Sequence, residues 1–437
     1  MLTQRSAVLA LAFTFCCLSC ATLRNDEDIS DYKGKIAALN QKLIRDPNDA
    51  ESLRDLGEIF FQVKQYPQAI ENLKKSYEID PNDAKTVFYY GMTLEYHNNP
   101  QAALSVYINY SDFSSFSPYR HLIEGRYQSV TSDIVHKQFQ TLLTSEQELA
   151  GQSLAPGTMA VFPLSFQGAD DRYAPLGKGL SEMLISDLGR VKKLTLVERT
   201  RIEALLQELD LVKAGQVDPS TAPRLGKLLG AGRIVTGSFS VSNEKRLTMS
   251  VGSWDVFKKD YPGLTSETDE LSNLFRLEKE FVFDLIKGLG ITLTTEERDA
   301  IQQVPTNNLQ AFLLYSIGLE KQDAGDFDGA AVYFNNAASL DPDFIDAKNK
   351  SGAAEALVVA GGDKKKALIA AQKVDVPIGP DIGGTDLVMD RLQNLGNGIG
   401  SNFYPGQDDR KPAQEASSSG QFNPPEVLPP PPPPPHR

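Results

Sequence analysis

All three cysteines of this 437-residue chain, Cys16, Cys17 and Cys20, fall within five residues. A cluster of thiols can hold a metal, form a disulfide or accept a covalent group, and its flanks decide between these. Cys17 and Cys20 make one C-x-x-C step, but a zinc site needs a second ligand pair, and the nearest histidine is His97. Instead, Arg5 precedes an apolar run over residues 7–18, "AVLALAFTFCCL", after which the chain turns polar at "RNDEDISD". That is the layout of a secretory signal, and about a dozen apolar residues are too few for a spanning helix, which takes about 20.

Other echoes of chemistry are incomplete. The glycines of "PLGKGLS" (175–181) miss the phosphate-loop pattern, because Gly179 follows Lys178 where Ser or Thr is needed and Arg172 stands in the first glycine's place. They read as a helix-opening turn. "DAGDFDGAA" (323–331) lacks calcium ligands at its first and twelfth places, where Ala324 and Asn335 stand. The histidines His97, His121, His136 and His436 share no metal spacing, and no Ser-His-Asp or cysteine nucleophile arrangement can be placed. The expectation is a protein that is not an enzyme, with no cofactor and no metal. Glu198 and Arg199, where a strand runs into a helix, are the candidates for a ligand cleft, weighed against a local ion pair or cap.

The cysteine stretch resembles the lipobox of bacterial lipoproteins. Ser19 is the small residue before the cut, Cys20 the lipid-bearing residue and Ala21 the residue after it, while Leu18 stands later than the family pattern places its leucine. The resemblance implies residues 1–19 as signal peptide and membrane attachment through Cys20, with a free periplasmic protein as the alternative. Alanine rather than aspartate after the cysteine implies the outer membrane, on its periplasmic side. A net charge of −13 argues against nucleic acid, whose phosphates require clustered Lys and Arg.

The elements follow from periodicity. Pro47, Gly57 and Ala69 recur 34 residues on as Pro81, Gly91 and Ala103, and 34 residues is the tetratricopeptide period. Small residues let two helices of a hairpin approach, while Leu53, Leu56, Ile59, Ile70 and Leu73 form a buried stripe. Gly125 falls a further 34 residues on, yet Ser115 and Lys137 break the pattern, so this stretch is expected as one long helix from about Pro118 to Leu149. The pattern returns with Gly318, Ala330, Phe334, Ala337 and Pro342, and a helix starting near Ile345 with Gly352 is its expected continuation. Such a unit must pack on a neighbour to bury its apolar face. First helices line the concave side of these arrays, so Arg54, Glu58, Phe61, Phe88, Met92 and Glu95 are the candidate groove for a protein partner, with Phe61 and Phe88 as core the competing reading.

Between the repeats, strands are expected at 158–164, 194–198, 233–241 and 246–257, with helices in "LGKGLSEMLISDLGRV", "RTRIEALLQELDL", "PSTAPRLGKLLG" and "ELSNLFRLEKEFVFDLIKGLG". The "GLSEML" helix, "LVERTRI", "LGKLLGA" and "IVTGS" resemble the CsgG/HfaB family and the amino-terminal domain of TolB-like proteins. The resemblance implies their soluble fold and ring assembly, hence homo-oligomers. It does not extend to a channel. The hairpin at "SNEK" is short, and "KKDYPGLTSETDELSN" (258–273) reads as too charged and too short for a second one.

The whole is expected to be an α+β multidomain chain: signal peptide 1–19; tetratricopeptide hairpins and long helix 20–150; CsgG/TolB-like α/β domain 155–300; C-terminal tetratricopeptide region 305–375; and a disordered Gly/Pro-rich tail 376–437, where Pro429–Pro435 would act as a stiff spacer. The functional expectation is a noncatalytic, lipid-anchored scaffold of the cell envelope. A ring component of a curli-type export system and a small-ligand sensor are the alternatives.

Overall fold

The computed structural model describes residues 29–114, 117–144, 155–210, 221–257 and 264–375. The proposed signal, Cys20 and the proline-rich tail lie outside them. The chain divides into two compact units, one through Pro81 and one from Asn82, so the division falls inside the first tetratricopeptide segment.

The first unit contains α1 (Ile29–Arg45), α2 (Ala50–Gln62) and α3 (Tyr66–Ile79). Asp49 starts α2 by accepting from the Ser52 amide at 3.2 Å, which satisfies one of the orphan donors of the first turn. A Cβ at Gly57 would overlap Leu73, so only glycine lets α2 and α3 close to this distance. The turn between them passes through Lys64 at φ 61°.

The second unit repeats this grammar in α4 (Ala84–Tyr96) and α5 (Pro100–Tyr107), with Asp83 as the cap, Gly91 against Tyr107 and Asn98 at φ 59°. It appears again in α12 (Leu309–Asp323) and α13 (Phe327–Leu340), with Gly318 against Phe334 and Gly325 at φ 76°. In all three hairpins the left-handed residue falls seven positions after the packing glycine. The third copy is a single helix as its broken pattern predicts, α6 (Pro118–Thr144).

The sheet has the order β3-β1-β4-β5-β6: β1 (Ala155–Val161) is parallel to β3 (Thr195–Leu196) and β4 (Ala231–Val241), while β4, β5 (Arg246–Asp255) and β6 (Thr265–Glu270) are antiparallel. The short β2 (Ser165–Phe166) also pairs with β4. β6 is a strand that was not expected: residues 265–270 of this polar stretch pair with β5 over six consecutive positions, too short for a membrane strand. It is polar on both faces because it ends the sheet, and pairing rather than apolar alternation holds it there.

Strand alternation sends Met159 and Val161 into one core and Ala160 and Phe162 into the other. The first core takes α7 (Leu176–Leu188), α10 (Leu274–Gly288), α11 (Thr295–Gln302), α12 and α13; the second takes α8 (Arg199–Glu208), α9 (Ala222–Leu229) and the end of α6. The terminal repeat does find its neighbours. α12 lies on α7, where a Cβ at Gly179 would overlap Ser316. α14 (Ile345–Ala360) lies on α6, where a Cβ at Gly125 would overlap the Ala356 carbonyl. Gly352, expected to continue the packing pattern, faces open space, because α14 meets α6 through Ala356 and Ala360 instead. No helix among the described residues is long and apolar enough to cross a membrane.

Candidate functional site

Three helices of the sheet region and the terminal repeat converge on one group of charges. Lys178 and Glu182 lie on α7, Arg199 and Glu203 on α8, and Asp323 on the last turn of α12. Arg199 grips Asp323 with Nη1 at 2.7 and 2.8 Å from the two carboxylate oxygens, and its Nε lies 3.1 Å from Glu182. Lys178 pairs with Glu203 at 3.0 Å and with Asp323. Lys350 of α14 reaches the other oxygen of Glu182 at 3.2 Å. Burial by itself would weaken the hold of Arg199 on its proton, but Asp323, Glu182 and Glu203 outweigh it and push its pKa up. Burial, then the Asp323 charge, raises the Glu203 carboxyl against the pull of Lys178 and Arg199.

Glu182, Arg199, Glu203, Asp323 and Lys350 form part of the wall of a cleft of about 1230 Å³ between α6, α8, α12 and α14. Tyr127, His136, Asp346 and Lys350 are on its rim and walls. Glu198 and Arg199, the residues proposed for a cleft, both border it. Glu198 is exposed at the start of α8, whereas Arg199 is buried and spent on its carboxylates. "PLGKGLS" opens α7, as expected of a helix-opening turn: Pro175 stands at the cap, Gly177 fits against the Leu164 carbonyl, Gly179 against Ser316, and Lys178 between them enters the charge group.

The proposed partner groove divides differently. Arg54 is half-buried and pairs with Asp55 at 2.9 Å, and half-buried Glu58 accepts from Gln62 at 3.3 Å. Phe61 is buried, its ring 6.0 Å from that of Tyr66. Phe88 and Met92 are 0% exposed and belong to the interior of the second unit, so their assignment to a groove is corrected to core. Glu95 is corrected likewise. It receives a two-pronged bond from Arg126 at 3.0 and 2.5 Å and a third from the Tyr107 hydroxyl at 3.0 Å. Arg126, 1% exposed, also donates to the Ala360 carbonyl at 3.1 Å, tying α4 and α6 to the end of α14. The reason is that α4 is flanked by α5 and α6, which leaves nearly its whole circumference buried.

A second charge group went unseen in the sequence. Glu278 of α10 is wholly buried, and neither of its oxygens accepts a hydrogen bond. Lys279 lies 3.5 Å away and is paired with Asp187 of α7. Burial first, and then the Asp187 charge, push the Glu278 carboxyl up to about 8. The signal was present: Glu278 falls four residues after Leu274 and three before Phe281, on the apolar stripe of α10. Among the described residues no group of three His, Cys, Asp or Glu side chains is arranged to hold a metal ion.

No curated protein matches the chain. Among solved structures, the LpoB C-terminal domain from Salmonella enterica is similar at 17% identity, covering 30% of this chain and 95% of that chain, with a TM-score of 0.23. Residues 50–83 match the tetratricopeptide repeat model, and residues 143–269 match the curli production assembly/transport component CsgG. The chain therefore carries a CsgG-like domain together with tetratricopeptide helices.

Proposed function

We propose that this protein is a noncatalytic, lipid-anchored scaffold of the cell envelope, facing the periplasm from the outer membrane, that gathers protein partners on its repeat helices. The observation that carries the reading is that α4–α6 and α12–α14 share one compact unit with the CsgG-like sheet: Arg126 of α6 donates to the Ala360 carbonyl at the end of α14, and Arg199 of α8 pairs with Asp323 of α12. Repeats built into a sheet domain in this way offer a fixed surface, which lowers the ordering cost of binding. The charged groups support a noncatalytic role, since Lys178, Arg199, Glu203 and Asp323 are neutralised by each other rather than left for proton transfer.

Crosslinking in native cells, followed by mass spectrometry of what is joined to the protein, tests the reading; capture of no envelope protein would sink it. The anchor is tested by Cys20→Ser, which should abolish palmitate labelling and release the protein from membranes. Two other readings have specific support. The CsgG match favours a ring-forming export component, for which detergent-extracted protein should show the mass of a large homo-oligomer rather than a monomer. The cleft beside Arg199 favours a small-ligand sensor, for which a metabolite panel should raise the melting temperature.

A further inference from the structure

Among the described residues β6 ends the sheet with a single neighbour, and five of its six residues, T-S-E-T-D-E, are exposed. Sheet edges are ordinarily guarded by proline, lysine, bulges or short length. β6 has no proline, lysine or bulge: its register with β5 runs unbroken from Thr265↔Val251 to Glu270↔Arg246. Among the described residues its guard is acidic charge, and a guard of that kind is selective. A second copy of β6 would set Glu267, Asp269 and Glu270 against their like, which is destabilising across strands.

The faces differ. Ser266 and Thr268 extend rows of hydroxyls across the sheet: Ser165, Ser238, Ser250 and Ser266 in one, Ser240, Thr248 and Thr268 in the next. Ser250 bonds Ser266 at 3.0 Å and Thr248 bonds Thr268 at 2.9 Å, which holds this face low. Glu267 and Asp269 point to the opposite face, where Arg276 pairs with Asp269 and Glu280. We propose that the free edge of β6 is a docking site for an extended segment of a partner protein that alternates basic residues with serine or threonine. Its basic side chains would lie beside Glu267 and Asp269 and its hydroxyls would continue the two rows, while the main chain supplies the new ladder.

The test uses the full-length protein and two synthetic peptides, one alternating lysine with threonine and one alternating glutamate with threonine. The lysine peptide should bind at least about fivefold more tightly, as expected for the cross-strand charge at Glu267 turned from repulsive to attractive, Asp269 being held by Arg276. Its binding should slow amide exchange in residues 265–270. Glu267→Lys should weaken it about fivefold, whereas Asp112→Lys, an equal charge change at an exposed site elsewhere, should leave it unchanged; an unaltered melting temperature shows that each variant is folded. Equal binding of both peptides, equal weakening by both variants, or unslowed exchange at 265–270 would overturn the proposal. So would concentration-dependent self-association that slows those amides without peptide, which would make a second copy the occupant.

Discussion

In the α2–α3 hairpin Gly57 admits Leu73 and the turn runs through Lys64; in the α12–α13 hairpin Gly318 admits Phe334 and the turn runs through Gly325. Inside, the two are built alike. Outside they diverge at equivalent positions: Gln62, five residues after Gly57, accepts from Tyr32 at 2.8 Å, whereas Asp323, five after Gly318, binds Arg199 and Lys178 in a buried charge group. One repeat pattern thus makes a hairpin in either setting, and a single residue at its rim determines what the hairpin is fastened to.

The sharpest way to break this comparison is at those rims. Asp323→Ala leaves Arg199 and Lys178 buried short of a partner and should cost about 3–5 kcal/mol in denaturant unfolding of the second unit, because an uncompensated buried charge is expensive. Next come the hairpin interiors. Gly57→Ala and Gly318→Ala should each cost about 1–3 kcal/mol through overpacking, and by similar amounts. If Gly318→Ala were tolerated while Gly57→Ala was not, the equivalence of the two hairpins would fail. Gln62→Ala, which loses the bond from Tyr32 and a long one to half-buried Glu58 but strands no buried charge, should cost about 1 kcal/mol in unfolding of the first unit. A loss there as large as that of Asp323→Ala would erase the distinction between the rims.

Titration separates the two units by a different route. Glu278 releases its proton near 4.5 when unfolded and near 8 when folded, so the folded state holds the extra proton between those values. Its contribution to stability is therefore present below about 4.5 and is lost as pH rises toward about 8. The melting temperature of the second unit should fall over that interval, and Glu278→Gln should flatten the fall. The first unit should show no such slope from this group.

Legibility followed the range of the interaction. The hairpin glycines and the long α6 were readable because each depends on neighbours along one short stretch. Phe88 and Met92 were misplaced because an apolar stripe does not say how many helices will cover it, and α4 has two flanking it. β6 was missed because its six polar residues carry no alternation, and only β5 beside them makes a strand of them. Glu278 could have been found, as its place on the apolar face of α10 is a matter of counting.

What the amino-acid sequence determined by itself is the set of parts: three glycine-packed hairpins and a strand-helix region closed by a β-hairpin and a long helix. Tertiary structure alone decided that Arg126 reaches Glu95 and the Ala360 carbonyl, that Gly125 receives α14, and that Arg199 closes on Asp323. Helix and turn signals arise from backbone bonds and side chains a few residues apart, so they are written locally. Pairings across more than a hundred residues exist only once the sheet has brought α7, α8 and α12 together, and the desolvation cost of their charges then permits no loose alternative.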